Sequence, residues 1–145
     1  MNIFRKERRD EIIFSLKRFN TLRYDAKDVL RKLPDTMDND NSPQFIEGLH
    51  KRIACYESYI FNIGQISSPD IRDIVLNSGN IAKRAQGLCV ELLEKLNNKE
   101  TQEVDLMSIQ SRANMKGLRI THDMVEEVME KYHIKPEEID YRGRI

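Results

Sequence analysis

The stretch between residues 43 and 63 constrains the fold most strongly, because its apolar side chains recur at helical spacing without a break. These side chains belong to Ile46, Leu49, Ile53, Tyr56, Ile60 and Ile63. Steps of three and four residues place all six on one narrow stripe of an α-helix, whereas a strand needs alternation by two. Ser42 followed by Pro43 is a typical helix start, with Ser42 as the N-cap. The sequence therefore predicts a long helix that packs along its length against other helices, as in a coiled coil.

Two further long helices are predicted, one on each side of this one. The first covers residues 5–33, where Pro34 stops it, and the other covers residues 69–96. The stripe of the first contains Ile12, Leu16, Phe19, Ala26, Leu30 and Leu33, and that of the other contains Ile71, Ile74, Ile81, Ala85, Leu88 and Leu92. Residues 77–80 are four poor helix formers, but the apolar phase continues across them, which favours a continuous helix over a break. Because the connections are short, the three helices are predicted to form an antiparallel bundle.

Residues 101–145 are predicted to form a separate appendage of short helices beside the all-α bundle of residues 1–100. The pattern indicates a helix over residues 102–115, a second from an N-cap at Thr121 to His133, and one more turn from Pro136. The second helix has an apolar face, but an isolated helix of 13 residues is marginal in water. That face must therefore dock, either on the bundle of its own chain or on another molecule. Its candidate partner-binding residues are Met124, Val128, Met129 and Tyr132.

The charge distribution indicates an alternative function, which is nucleic-acid binding through a basic N-terminal helix. The whole chain has 24 basic and 24 acidic side chains, so it lacks the surplus that is typical of nucleic-acid-binding proteins. The first 33 residues, however, hold ten basic and five acidic side chains. The acidic residues lie at salt-bridge spacing among the cations, which favours an exposed helix face. Candidate nucleic-acid-binding residues in this alternative are Arg5, Arg8, Arg9 and Arg18.

The sequence contains one pattern that is typical of a metal site. Glu47 and His50, and again Glu130 and His133, have the Glu-x-x-His spacing that di-iron bundles use. Both glutamates are predicted to point away from the apolar faces of their helices, into solvent. No phosphate-binding glycine loop, Cys-x-x-Cys or His-Glu-x-x-His motif occurs in the sequence. We therefore expect no catalytic residues, no metal and no cofactor.

These observations favour a non-enzymatic protein that binds another protein, or a second copy of itself, through helix surfaces. An adaptor, an assembly subunit and an inhibitor all fit this description. No 18-residue apolar run is present, so no membrane span is expected. Two cysteines are too few for a secreted disulfide framework, and Cys55 and Cys89 are predicted to lie too far apart to pair. A cytoplasmic location is therefore expected.

Overall fold

The computed structural model describes residues 3–37, 41–98, 104–105 and 120–143. Its helices are α1 (Ile3–Arg31), α2 (Ser42–Gly64), α3 (Arg72–Asn97) and α4 (residues 120–131), with short 3-10 turns at Pro69–Ile71 and Pro136–Glu138. Two-residue segments, β1 (Thr36–Met37) and β2 (Val104–Asp105), form one antiparallel pair. Apart from this pair, the regular structure of the described residues is helical, which confirms the predicted all-α class.

Three local predictions at helix ends are corrected. The N-cap of α2 is Asn41 rather than Ser42, which is the first helical residue. The side-chain Nδ2 of Asn41 donates a hydrogen bond of 2.9 Å to the backbone carbonyl of Thr36 and so closes the loop before α2. Thr121 lies inside α4, where its hydroxyl accepts a hydrogen bond of 2.7 Å from Asn77. Val104 and Asp105 pair with β1 rather than forming a helix, and the rest of the predicted helix over residues 102–115 lies outside the described residues.

Helix α3 is continuous through residues 77–80, and the small residues there allow α2 to approach closely. The hydroxyls of Ser78 and Tyr59 share a buried hydrogen bond of 2.6 Å. A Cβ atom on Gly79 would lie 3.8 Å from Cδ1 of Ile63, so the helices meet at van der Waals distance. Close packing therefore compensates for the poor helix propensity of these residues.

The main hydrophobic core combines the three long helices with the C-terminal segment. Its buried members are Ile12, Leu16, Phe19, Tyr59, Ile63, Ile71, Ile74, Ala82, Val125, Met129, Ile134 and Ile139. A smaller cluster contains Met37, Phe45, Leu49 and Cys89. Residues 120–143 thus pack on the helices of their own chain, which is one of the two alternatives that the sequence left open. The division into residues 1–100 and 101–145 stays a prediction.

Candidate interaction site

The apolar face of α4 is covered by the same chain. Val125 and Met129 are buried in the main core. The other three residues of this face, Met124, Val128 and Tyr132, are half-buried against that core. The burial of the predicted partner-binding residues therefore arises within one chain, and their binding to a partner stays a prediction.

Arg9 fastens α1 to the end of α4. Its Nε donates a hydrogen bond of 3.0 Å to the carbonyl of Tyr132, and its Nη2 donates one of 2.9 Å to the carbonyl of His133. The same guanidinium forms an ion pair with Glu138 at 3.1 Å. His133 ends the helical segment with a positive φ of 53°, and Arg9 binds the two backbone oxygens exposed at this turn. Arg9 therefore fixes the C-terminal segment in place.

Asp70 forms a second connection between α1 and the end of α4. It accepts hydrogen bonds of 2.6 Å from Nη2 of Arg8 and 2.9 Å from the hydroxyl of Tyr132. The Arg8 hydrogen bond is the largest cause of a lowered pKa for Asp70, and Tyr132 acts in the same direction. Two of the four candidate nucleic-acid-binding residues, Arg8 and Arg9, are thus engaged within the chain. Arg18 is exposed, and the side chain of Arg5 lies outside the described residues.

Asp70 gives a prediction for the pH dependence of stability. Its pKa is lower in the folded chain than in the unfolded chain, so its ionised form stabilises the fold above its ordinary pKa. This stabilisation is lost as the pH falls through the folded-state pKa, which lies below the ordinary value of an aspartate. We expect Asp70→Asn to be less stable than the unmodified chain at pH 7, and the difference to shrink towards pH 2. Urea unfolding at each pH measures it, with the exposed Asp10→Asn as control; a difference that is constant with pH would contradict the role of Asp70.

Helices α1 and α2 together present an exposed face that sequence reasoning missed. Each helix contributes one stripe of exposed or half-buried residues at helical spacing. The α1–α2 face consists of Phe14, Arg18, Leu22, Asp25 and Val29 on α1 and of Lys51, Ala54, Cys55, Ser58 and Phe61 on α2. Between the stripes runs an open groove of about 530 Å³. Phe14, Leu22 and Val29 recur at steps of eight and seven beside the main stripe of α1, and this recurrence is the signal that could have identified the face.

Two aromatic side chains dominate the exposure of this face. Phe14 is 70% exposed and Phe61 is 66% exposed, the two highest values among the large hydrophobic residues of the described part of the chain. Both lie on helices whose opposite sides are already packed in the core. The two phenylalanine rings therefore do not pack in the core, and both are accessible for contact with another molecule.

Cys55 lies in the groove of this face and is half-buried. Its Sγ is 3.9 Å from the carbonyl oxygen of Ala26. Burial raises the pKa of the Cys55 thiol, and the positive charge of Arg52 opposes that shift. Cys89 is fully buried in the smaller core cluster, and neither cysteine forms a disulfide, as predicted. Cys55 is therefore a weakly acidic thiol that can report on the groove.

The Glu-x-x-His pairs lie at the surface. Glu47, His50, Glu130 and His133 are all exposed, so neither pair projects into the helix packing. In residues 3–37, 41–98, 104–105 and 120–143, no group of three or more His, Cys, Asp or Glu side chains is placed to hold a metal ion. Within the same ranges, no helix combines the length and apolar character that a membrane crossing requires.

Comparison with known proteins gives no match. No protein-family model matches the sequence, and no curated protein or solved structure is significantly similar to the chain.

Proposed function

We propose that this chain is a non-enzymatic interaction protein, an adaptor, assembly subunit or inhibitor, that works by presenting helical surface. The observation that carries the proposal is the exposure of Phe14 and Phe61 on the α1–α2 face. Aromatic residues are enriched at protein interfaces and supply much of the binding energy there. Apolar exposure of this kind on two adjacent helices favours a docking surface for a protein with an apolar surface of its own.

The proposal includes an antiparallel arrangement of the three long helices. Contacts between α2 and α3 support it, because residue numbers rise along one helix as they fall along the other. Gln86 donates a hydrogen bond to the carbonyl of Ile53, while Tyr59 pairs with Ser78. Such a bundle leaves the outer side of α1 and α2 uncovered, which is where the α1–α2 face lies.

A second copy of the chain is the partner that the α1–α2 face favours. The face carries both signs of charge, with Arg18 and Lys51 as cations and Asp25 as an anion, and Asp25 and Lys51 line the same groove. On a two-fold axis the same patch meets itself, so a patch with both signs can place Asp25 of one copy against a cation of the other. The proposed setting is the cytoplasm, where a half-buried free thiol such as Cys55 stays reduced.

Nucleic-acid binding through α1 has less support. Arg8 and Arg9 make ion pairs with Asp70 and Glu138, so binding phosphates would require those pairs to break. Of the candidate residues with a described side chain, Arg18 is the one for which no such pair is seen. Titration with mixed DNA and RNA at low salt separates the two proposals, because phosphate binding weakens steeply as salt is added.

The experiment that tests the leading proposal is the replacement of both exposed phenylalanines by alanine. Phe14→Ala with Phe61→Ala is expected to weaken self-association at least about 30-fold, since hot-spot truncations cost about 2 kcal/mol or more. Light scattering after size exclusion, over a concentration series, measures the monomer–dimer equilibrium. The matched control is Leu76→Ala, which removes an exposed apolar side chain of α3 outside the face.

Two results would count against the proposal. The first is an unmodified chain that stays monomeric at high concentration and captures no protein partner. The other is a double variant that associates as strongly as the Leu76→Ala control. Circular dichroism of all three proteins establishes that their helix content is unchanged.

A further inference from the structure

A cavity of about 210 Å³ lies between α1, α2, α3 and the start of α4. Its apolar lining residues are Ala26, Leu30, Ile81, Ala82 and Ala85. Its hydrogen-bonding and charged lining residues are Arg23, Lys27, Tyr56, Tyr59, Ser78, Thr121 and His122. Apolar walls with a few convergent polar groups are typical of small-molecule sites.

Arg23 is the unusual member of this lining, because its charge is buried without a carboxylate. The residue is 7% exposed. Its Nη2 donates to the side-chain oxygen of Asn20 at 3.3 Å and to the hydroxyl of Tyr24 at 3.2 Å, and both acceptors are neutral. Its Nε is buried and has no hydrogen-bond acceptor. No carboxylate of the described residues lies within ion-pair distance of this guanidinium.

Arg52 is another buried arginine of this chain, and its counterion can be compared with the surroundings of Arg23. It is 4% exposed, and its Nη2 lies 2.9 Å from Oδ1 of Asp35 and also donates to the carbonyls of Leu33 and Pro34. The Nε of Arg52 also lacks an acceptor, so the difference between the two residues is the counterion. Burial of a charge without a counterion is costly. The rings of Phe19 and Tyr24, whose centroids lie 5.5 Å and 5.1 Å from the Arg23 guanidinium, offset part of that cost, and an anion in the cavity would offset more of it.

Lys27 adds a second positive charge one helical turn from Arg23. Burial and the charge of Arg23 both lower the pKa of Lys27. The hydroxyls of the two lining tyrosines stay protonated, since burial raises the pKa of Tyr59 and raises that of Tyr56 to about 12. The polar residues of the cavity lining therefore offer positive charge and hydroxyl donors, which are complementary to a negative group.

We propose that this cavity binds a small aromatic or branched aliphatic carboxylate. Its carboxylate would pair with Arg23, assisted by Lys27, and its apolar body would lie against Leu30, Ala82 and Ala85. An engineered protein cavity of 150 Å³ holds benzene, so a space of about 210 Å³ fits a ring with a carboxylate attached. A hydrogen bond between guanidinium and carboxylate is charge-assisted and stronger than the bonds that Arg23 makes to its neutral acceptors, Asn20 and Tyr24. This inference is independent of the α1–α2 face.

The test is an NMR titration of the full chain with phenylacetate, using phenylacetamide as the neutral control of nearly the same shape. We expect saturable shifts of the methyl signals of Ala82 and Ala85, with a dissociation constant of about 0.1–1 mM for a ligand of this size. The amide is expected to bind at least about tenfold more weakly, because it lacks the charge that Arg23 needs. Inorganic phosphate, which lacks the apolar body, is expected to leave the two methyl signals unshifted.

Two variants separate ligand binding from a structural role of Arg23. Arg23→Met is expected to abolish binding with little change in melting temperature, because removing a buried charge that has no counterion offsets the loss of its hydrogen bonds to Asn20 and Tyr24. Lys27→Gln, at the partly exposed mouth, is expected to weaken binding several-fold with the fold intact.

Several results would overturn the proposal. Equal affinity for acid and amide, or no saturable binding of either, would exclude a carboxylate site. Phosphate binding as tight as that of phenylacetate would show that the apolar residues of the cavity contribute nothing to the affinity. A strongly lowered melting temperature of Arg23→Met without ligand, together with unchanged phenylacetate affinity of Lys27→Gln, would show that the chain itself satisfies Arg23.

Discussion

Replacing Val125 by aspartate is expected to lower the free energy of unfolding by about 4 kcal/mol or more. Val125 is fully buried in the core between α4 and the long helices. A carboxylate there must either remain charged without a partner or take up a proton, and both cost free energy. Losses of this size are rare among single substitutions and indicate a buried charge or a lost core contact. Urea denaturation followed by circular dichroism measures the change.

The matched control is Val90→Asp, the same substitution at an exposed position of α3. We expect that variant to lose less than about 1 kcal/mol, as surface substitutions usually do. If Val125→Asp were no less stable than Val90→Asp, α4 would not be part of the core. That outcome would support docking of α4 on another molecule instead.

Asn20 is the second position with a large expected effect. Its side chain is fully buried, and its amide nitrogen donates a hydrogen bond of 2.9 Å to the carbonyl of Ile139. Its oxygen accepts the hydrogen bond from Arg23. Asn20→Ala leaves a buried carbonyl and a guanidinium N–H without their partner, so we expect a loss of about 2–3 kcal/mol.

Thermal and urea unfolding of Asn20→Ala measure this loss. The control is Asn80→Ala at an exposed site of α3, where the better helix propensity of alanine is expected to leave stability equal or slightly higher. Equal stability of the two variants would mean that the bond between Asn20 and Ile139 does not hold the C-terminal segment.

The helices could be predicted from the sequence because their signal is local. The stripe from Ile46 to Ile63 fixes α2, and the unbroken phase of apolar residues favoured continuity of α3 across residues 77–80. Spacing along a helix is a property of neighbouring residues, so one sequence is sufficient to detect it. The N-cap of α2 was misplaced by one residue because Asn41 and Ser42 are both good capping residues and the loop decides between them.

The docking of the C-terminal segment could not be predicted, because its determinants are distant in sequence. Asn20 binds Ile139, and Arg9 binds the carbonyls of Tyr132 and His133. None of these side chains differs by type or spacing from a surface residue. The sequence of the apolar face of α4 is equally compatible with docking on its own chain and with docking on another. The burial of Val125 in the core of its own chain decides between the two.

The candidate sites depend on the same long-range information. Phe14 and Phe61 are ordinary members of amphipathic helices until the packing shows which stripe each helix buries. Arg23 was counted among the basic residues of α1, and the sequence does not distinguish it from the exposed cations of that helix, although it is 7% exposed. A sequence identifies such residues by type, but only tertiary packing decides their exposure.

The rate at which a thiol reagent labels Cys55, measured over a series of protein concentrations, tests the proposed α1–α2 interface most directly. Cys55 is half-buried in the groove and Cys89 is fully buried, so the fast reaction reports on the groove. Because burial raises the pKa of Cys55, labelling is run at alkaline pH. We predict that the rate falls as the concentration rises, since a second copy covers the groove, and that it stays constant in the variant with Phe14→Ala and Phe61→Ala. A rate that is independent of concentration in the unmodified chain would contradict self-association through this face.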